Sequence, residues 1–580
     1  MSRHSPGAGQ PASLVARLLS LTALLTALLF ALPVARAADA AAPAAAAPAH
    51  AAIASAHPLA SAAGMEILHA GGNAFDAAVA VTAALAVVEP TGSGLTGGGF
   101  YLLHRGSDGM ETAVDAREYA PAAATRDMFL DAKGEPVPGL SMESALAAGI
   151  PGEPAGMALL AKRYGRLSVA QSLAPAIKLA REGFPLSARL HDALQRSQKQ
   201  FATDPEVARN FLRNGAVPAV GTIIRQPELA TTLEHLARNG LESFYHGDLA
   251  ERLVAGVREQ GGIWSIADLG EYRALERAPL VGHYRGARVV SAPPPSSGGV
   301  ALIEALNVLA QLPLTSVDAL TRKHFIIEAM RRAHRDRAVY LGDPDFVSVP
   351  GAMLTSSDYA AGLAASIRSD RATPSNSLPG VGAGASAGPQ TTHFSVLDRE
   401  GNRVAATITL NFGFGSGRMI KGTGLFLNNE MDDFSIKAGV PNGYGLVGAE
   451  ANAIAPHKRM LSSVTPAFVE QGDRMMITGS PGGSLIIGMV LLATLDFVDG
   501  HSAAQIAAAP RIHHQYLPDV VRYEPDALSS DEITGLKARG DAVEPGGRRW
   551  GNLQTIVWDR ASGTVEAAAD PRGEGAGLID

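Results

Sequence analysis

The residues best equipped for chemistry lie in Pro389-Gln390-Thr391-Thr392-His393-Phe394-Ser395-Val396-Leu397-Asp398, which continues through Arg399-Glu400-Gly401-Asn402 to Val404-Ala405-Ala406-Thr407-Ile408-Thr409-Leu410-Asn411. A hydroxyl is a weak nucleophile until a base sits within hydrogen-bond reach. A threonine at a chain start carries that base itself, as its own α-amine, so a peptide break at Gln390-Thr391 would make Thr391 a self-contained nucleophile. The preceding tract, residues 375–388, has too little apolar bulk to pack and too much glycine to hold one conformation, and it stops where a strand pattern begins. A floppy tether ending at a threonine makes sense if the chain is cut there.

The element that must position Thr391 is a β-hairpin. Phe394, Val396, Val404, Ala406, Ile408 and Leu410 are apolar, whereas Thr391, His393, Ser395, Thr407, Thr409 and Asn411, at the alternate positions, are polar. Period-two alternation on both sides of a short glycine-containing turn predicts one core face and one face of hydroxyls and amides. A loop centred on Glu400 sets Thr391 opposite Thr409 and His393 opposite Thr407.

These residues, together with Phe414-Gly415-Ser416-Gly417, Leu427-Asn428-Asn429-Glu430-Met431-Asp432-Asp433-Phe434-Ser435 and Gly479-Ser480-Pro481-Gly482-Gly483-Ser484, resemble the gamma-glutamyltransferase (gamma-glutamyl transpeptidase) family of N-terminal-nucleophile hydrolases. The likeness runs from about His57 to near the C-terminus. It implies an α+β fold, a four-layer αββα sandwich, made as one precursor and cut into a large subunit (38–390) and a small one (391–580) that share a single domain. It further implies that Thr391 transfers the γ-glutamyl group of glutathione and related amides to water, amino acids or peptides, with Thr409 orienting its hydroxyl. Arg117, with Ser462 and Ser463, would take the substrate α-carboxylate, for which a planar guanidinium is well shaped. Asp433, with Glu430 and Asn411, would hold the α-amino group, and Tyr444 would belong to a lid at 441–458. Gly482 and Gly483 offer consecutive N–H groups to an oxyanion, with no Cβ in the way. No cofactor or metal is expected. Thr96, Ala116, Tyr119 and Leu485 depart from the commoner family residues. A glutaryl/cephalosporin-type acylase and an unprocessed secreted binding protein are the alternative readings.

The rest of the chain narrows the class. Its 580 residues, 46% hydrophobic and 18% charged, describe a globular protein whose length alone suggests several domains, and a net charge of −7 offers nucleic acid no basic footprint. The absence of cysteine excludes disulfides and thiol nucleophiles. Arg17, the apolar run 18–32 and Ala35-Arg36-Ala37 read as a secretory signal (1–37), implying a periplasmic or secreted protein with no membrane anchor after its removal. Helices are predicted over 59–70 and over 74–88, the second capped by Asn73 and Asp76, and further helical patterns fill 150–275.

Three motifs mislead. Gly92 to Gly99 matches G-x-G-x-x-G but follows a helix and feeds a strand, the wrong order for a dinucleotide. Gly384-Ala385-Ser386-Ala387-Gly388 matches a nucleophile elbow without the strand and helix that would strain it. His513-His514 would point to opposite faces of a strand, which makes them structural rather than metal ligands.

Overall fold

The computed structural model describes residues 47–380 and 391–580. The leader, the 384–388 run and the Gln390 side of the expected break lie outside them. The predicted hairpin forms in the predicted register: strands Thr392–Leu397 and Arg403–Thr409 pair antiparallel, with His393 opposite Thr407 and Thr392 opposite Ile408. The next rung sets Thr391 against Thr409. Asp398 locks the turn, accepting from the N–H groups of Glu400 (2.9 Å) and Asn402 (3.0 Å) and from Asn402 Nδ2 (2.7 Å). It also accepts from Ala74 N–H (2.9 Å), which ties the hairpin to the first turn of helix Ala74–Val88.

This hairpin is the centre of a seven-stranded antiparallel sheet, ordered Ala576–Ile579, Ala52–Ser55, Thr392–Leu397, Arg403–Thr409, Gly98–His104, Glu111–Ala116 and Leu275–Arg277. A six-stranded sheet lies on it, contributed by Leu280–Tyr284, Ala287–Ser291, Ala467–Gln471, Arg474–Thr478, Gln554–Asp559 and Val565–Ala569. Between the sheets sit Leu102, Leu397, Ala405, Phe468, Ile477, Ile556 and Trp558. The outer face of the first sheet (Phe394, Val396, Val404, Ala406) packs on helices Pro58–His69 and Ala74–Val88, with Val169–Glu182 behind them. The outer face of the second packs on Gly298–Ala310 and Ile486–Val498, with Ala319–Tyr340 behind them. Helix, sheet, sheet, helix is the expected four-layer order, and although length suggested several domains, residues 46–580 form one unit.

The helix predictions hold for local reasons. Asn73 Oδ1 accepts from the N–H groups of Phe75 and Asp76, and Asp76 Oδ2 accepts from Asn73 N–H, a complete capping box. Every residue of Ala74–Val88 is buried.

One expectation needs correction and one gains detail. The face of hydroxyls and amides is covered by the second sheet: His393, Ser395 and Thr407 are fully buried. They satisfy one another, with His393 Nδ1 2.8 Å from Thr407 Oγ1, Nε2 3.3 Å from Ser395 Oγ, and Ser395 Oγ donating to Gln554 O at 2.9 Å. Burial lowers the His393 pKa to about 3, so the ring stays neutral. The first residues of the expected tether are also anchored: Ser375 is buried, accepts from Arg331 Nη1 at 2.8 Å, and donates its N–H to Asp519 at 2.7 Å.

The glycine run has a steric cause. A Cβ on Gly97 would stand 1.9 Å from Thr409 O, and one on Gly99 would stand 2.2 Å from Thr407 O. Gly97→Ala must push away the strand that carries Thr409, an overpacking penalty of about 1–3 kcal/mol. A lower thermal midpoint is expected, with less soluble protein; an unchanged midpoint would contradict this packing.

Candidate active site

Thr391 lies at the open end of the central ladder, 8% exposed. Its neighbour Thr392 donates through Oγ1 to the carboxyl of buried Glu89, which also takes the hydroxyls of Thr91 and Ser93. Burial raises the Glu89 pKa against the pull of those hydroxyls. Thr409 Oγ1 accepts from Asn411 N–H at 2.7 Å, which fixes the hydroxyl opposite Thr391. Asn411 holds φ +78°, a conformation its short side chain tolerates, and its Nδ2 donates to Asn429 O at 2.9 Å.

Gly482 (φ +150°) and Gly483 (φ +55°) lead into the 3₁₀ turn Gly483–Leu485 and helix Ile486–Val498. The first N–H groups of a helix have no intrahelical acceptor and carry its positive end. Only glycine fits at 483, since a Cβ there would meet the Tyr444 ring at 2.4 Å. Tyr444 stacks on Phe412 (centroids 4.3 Å apart, 15° between planes) and donates its hydroxyl to Asn411 O at 2.6 Å.

Thr391, Thr409, Asn411, Glu430, Asp433, Tyr444, Ser462, Ser463 and Gly483 line one chamber with about 10 Å³ of free space, room for a single water. Arg117 closes its charged end. This guanidinium, 1% exposed, bonds Glu430 through Nη1 and Asp433 through Nη2, while Nε donates to Met460 O at 3.2 Å. Glu118 adds a third carboxyl 3.6 Å away. Burial alone would lower Arg117, but Glu430, Asp433 and Glu118 together raise it. Burial pushes Glu430 up to about 8, with the charge of Asp433 adding to the effect and Arg117 opposing it, and it drives Glu118 well above the carboxylate range. So many carboxyls around so few cations cannot all ionise.

Several contributors were invisible in the sequence. Arg337, on helix Ala319–Tyr340, donates through Nη2 to Ser463 Oγ (3.1 Å) and through Nε to Ser297 Oγ (3.0 Å); burial lowers it to about 10. Ser297 in turn donates its N–H (2.8 Å) and Oγ–H (2.6 Å) to Ser462 O, so the proline-serine turn before it braces the serine pair. Neither Arg337 nor Glu118 carries a local signal, because each is defined by its partners from other segments.

The departures from family pattern also resolve. Thr96 donates its hydroxyl to Phe426 O, and Asn428 Nδ2 donates to Thr96 O at 2.6 Å, which steadies the loop before Glu430. Ala116 is buried where Gly156 presses on its Cβ, and Tyr119 stacks on Tyr272 in the core rather than lining an outer wall. Leu485 packs into the second helical layer. His513 faces Gln515 at 3.1 Å and His514 faces Asp519 at 3.1 Å.

Asp432 yields a clean titration. It accepts from Ser141 Oγ (2.7 Å) and Gly443 N–H (2.8 Å), and burial raises its pKa from 3.8 to about 6. Between about pH 4 and pH 6 the folded state keeps a proton that the unfolded chain has released, so stability falls as pH rises through that window. Asp432→Asn mimics the neutral acid, with Ser141 accepting from the amide. Relative to wild type the variant should gain about 3 kcal/mol between pH 4 and pH 6 and nothing more above it; equal denaturation profiles across the range would refute the assignment.

A family model described as Gamma-glutamyltranspeptidase matches residues 60–579. The chain is 44% identical over 529 residues to a glutathione hydrolase proenzyme of Escherichia coli (strain K12), covering 90% of each. It is 40% identical over 523 residues to one of Pseudomonas aeruginosa, covering 89% of this chain and 92% of that one. Among solved structures, cephalosporin acylase from Bacillus halodurans superimposes with TM-score 0.80 at 30% identity, covering 92% of this chain and 96% of that one. Helicobacter pylori gamma-glutamyltranspeptidase does so with TM-score 0.55 at 41% identity, over 56% of this chain and 93% of that one. With a matching family model over most of its length and relatives at these identities, the chain belongs to the gamma-glutamyltranspeptidase family.

Proposed function

We propose that this enzyme breaks its own backbone at Gln390-Thr391 and then uses Thr391 to move γ-glutamyl groups from glutathione and related amides to water or to amines. The observation that carries the reading is the chamber. One end holds Thr391, Thr409 and Gly483, and the other holds a guanidinium paired with carboxylates. An α-amino-acid headgroup bears a carboxylate and an ammonium on one carbon, so it can replace that internal pair. Its carboxylate goes to Arg117, Ser462 and Ser463, and its ammonium to Asp433, Glu430 and Asn411. Since the chamber has so little free space, admission requires Tyr444 and its loop to swing aside.

The γ-carbonyl then meets Thr391. The α-amine takes the hydroxyl proton as Oγ1 attacks the amide carbon, and the N–H groups of Gly482 and Gly483 hold the oxyanion. The amine departs with the transferred proton, and water or another amine resolves the γ-glutamyl ester by the reverse route. The central sheet takes strands from both sides of the break, so the large piece (38–390) and the small piece (391–580) remain one fold after cutting. The Escherichia coli relative's name, glutathione hydrolase proenzyme, supports both substrate and processing. The leader supports export to the periplasm or beyond; among the described residues no helix is long and apolar enough to cross a membrane.

Thr391→Ala should run as a single uncut chain on a denaturing gel and release no aniline from γ-glutamyl-p-nitroanilide; cleavage or turnover in it would end the assignment. The acylase reading, favoured by the Bacillus halodurans likeness, separates on Asp433. Losing a charge-assisted bond to the ammonium should cut kcat/KM for the anilide about ten- to a hundredfold in Asp433→Asn. An acylase would instead prefer glutaryl substrates and keep that rate.

A further inference from the structure

One buried acid beside Thr391 has no task in the γ-glutamyl chemistry. Glu89, 8% exposed, follows the last residue of helix Ala74–Val88 and turns its carboxyl towards the hydroxyls of three other residues. Thr91 donates to Oε1, while Ser93 (3.2 Å) and Thr392 both donate to Oε2. Every bond this carboxyl makes among the described residues is to a hydroxyl, and Arg189 acts on it through charge alone. Taking a carboxyl out of water without a bonded cation is costly. Departures from good packing chemistry of this kind collect where a protein does its work.

The carboxyl acts where the central sheet has the least support. Pairing of Thr392–Leu397 with Ala52–Ser55 stops at Phe394, so Thr392 and His393 have a paired strand on one flank only. The turn 89–93 closes in on this end. Its Thr91 carbonyl accepts from Phe414 N–H at 3.2 Å, and Gly92 lies so near the hairpin that a Cβ there would stand 2.6 Å from Thr392 Oγ1 and 2.9 Å from Thr391 O. The same Cβ would stand 3.0 Å from Glu89 Oε2, so carboxyl, hydroxyl and carbonyl crowd around one point. Thr91 and Thr391 also share the wall of an open cavity of about 330 Å³, which Arg189, Arg196 and Arg548 line as well.

A break at Gln390-Thr391 makes this crowding matter. An interior residue is held by the chain on both sides, whereas a chain end frays unless something ties it down. Thr391 loses its upstream neighbour in gaining an α-amine, and from then on its place depends on the residue after it. Successive side chains of a strand point to opposite faces, so Thr392 reaches the helical layer while Thr391 faces the chamber, and a bond to the first fixes the backbone that aims the second. We propose that Glu89 is a positioning residue, which clamps the Thr392 hydroxyl so that Thr391 keeps its aim once it starts a chain. The proposal rests on Thr391 being the nucleophile that the break exposes.

The test compares Thr392→Val, which keeps the shape and loses the hydroxyl, with Thr392→Ser, which keeps the hydroxyl, and with Glu89→Leu. Each is followed for self-cleavage on a denaturing gel, for kcat and KM with γ-glutamyl-p-nitroanilide, and for thermal midpoint. Formation of the γ-glutamyl ester and its hydrolysis use the same oxygen and the same amine, so kcat in Thr392→Val should fall at least about tenfold while KM holds. Thr392→Ser should restore it. Glu89→Leu should lose as much or more, and the double variant should be no slower than Glu89→Leu, since the bond is already gone. A Thr392→Val chain that stays uncut at the wild-type midpoint reports the same loss of aim. Wild-type kcat in Thr392→Val or Glu89→Leu, or a double variant that multiplies the two losses, overturns the proposal and leaves Thr391 as nucleophile. A kcat that falls only along with the midpoint and is not restored by serine marks a role in folding, and overturns it too. Turnover by Thr391→Ala would remove the nucleophile itself, and the clamp with it.

Discussion

The structure depends on the antiparallel pairing of Thr392–Leu397 with Arg403–Thr409, covered by a layer on either face. A strand buried on both sides cannot slip by one residue, since Phe394 and Val396 would then leave the helical layer and His393 would lose Thr407. The same pairing sets Thr391 opposite Thr409 and presses the Thr409 carbonyl against a stretch that only glycine can form. Position of the Thr391 hydroxyl is thus a by-product of core packing, which is a stiffer guide than a loop.

The charges at the far end of the chamber follow a different logic. Arg117 directly follows strand Glu111–Ala116 of the first sheet, Glu430 and Asp433 lie in the 3₁₀ turn Glu430–Asp433, and Arg337 reaches in from a helix on the opposite side of the sandwich. Buried ion pairs contribute little net stability because desolvation offsets their attraction. Their arrangement makes physical sense as a pair held open to exchange, in which a zwitterion restores what separation of the two partners would cost. Burial and the surplus of carboxyls raise the pKa values of Glu430 and of Glu118, which lacks any hydrogen-bond partner among the described residues.

On the other side of Thr391 the charge is reversed. A small chamber lined by carboxyls and an open cavity lined by arginines flank one hydroxyl. Neither field belongs to a single segment: the cavity draws on a helix near 190 and a loop near 548, and the chamber on a strand end, a turn and a lid.

Features set by neighbours in the chain were legible beforehand. The period-two hairpin, its register, the Asn73 capping box and helix Val169–Glu182 depend on spacing of a few residues, and the sequence by itself determined them. The family motifs added which residues would gather, and nine of the eleven anticipated line the chamber. What only the tertiary structure decided were the partners: the burial of the hairpin's polar face under a second sheet, the embrace of Arg117 by a carboxylate 313 residues away, the brace that Arg337 gives Ser463, and the arginine-lined cavity. Alternation and capping are local and leave a pattern along the chain. A charge's partner is chosen by how the layers stack, and no spacing in the sequence records it.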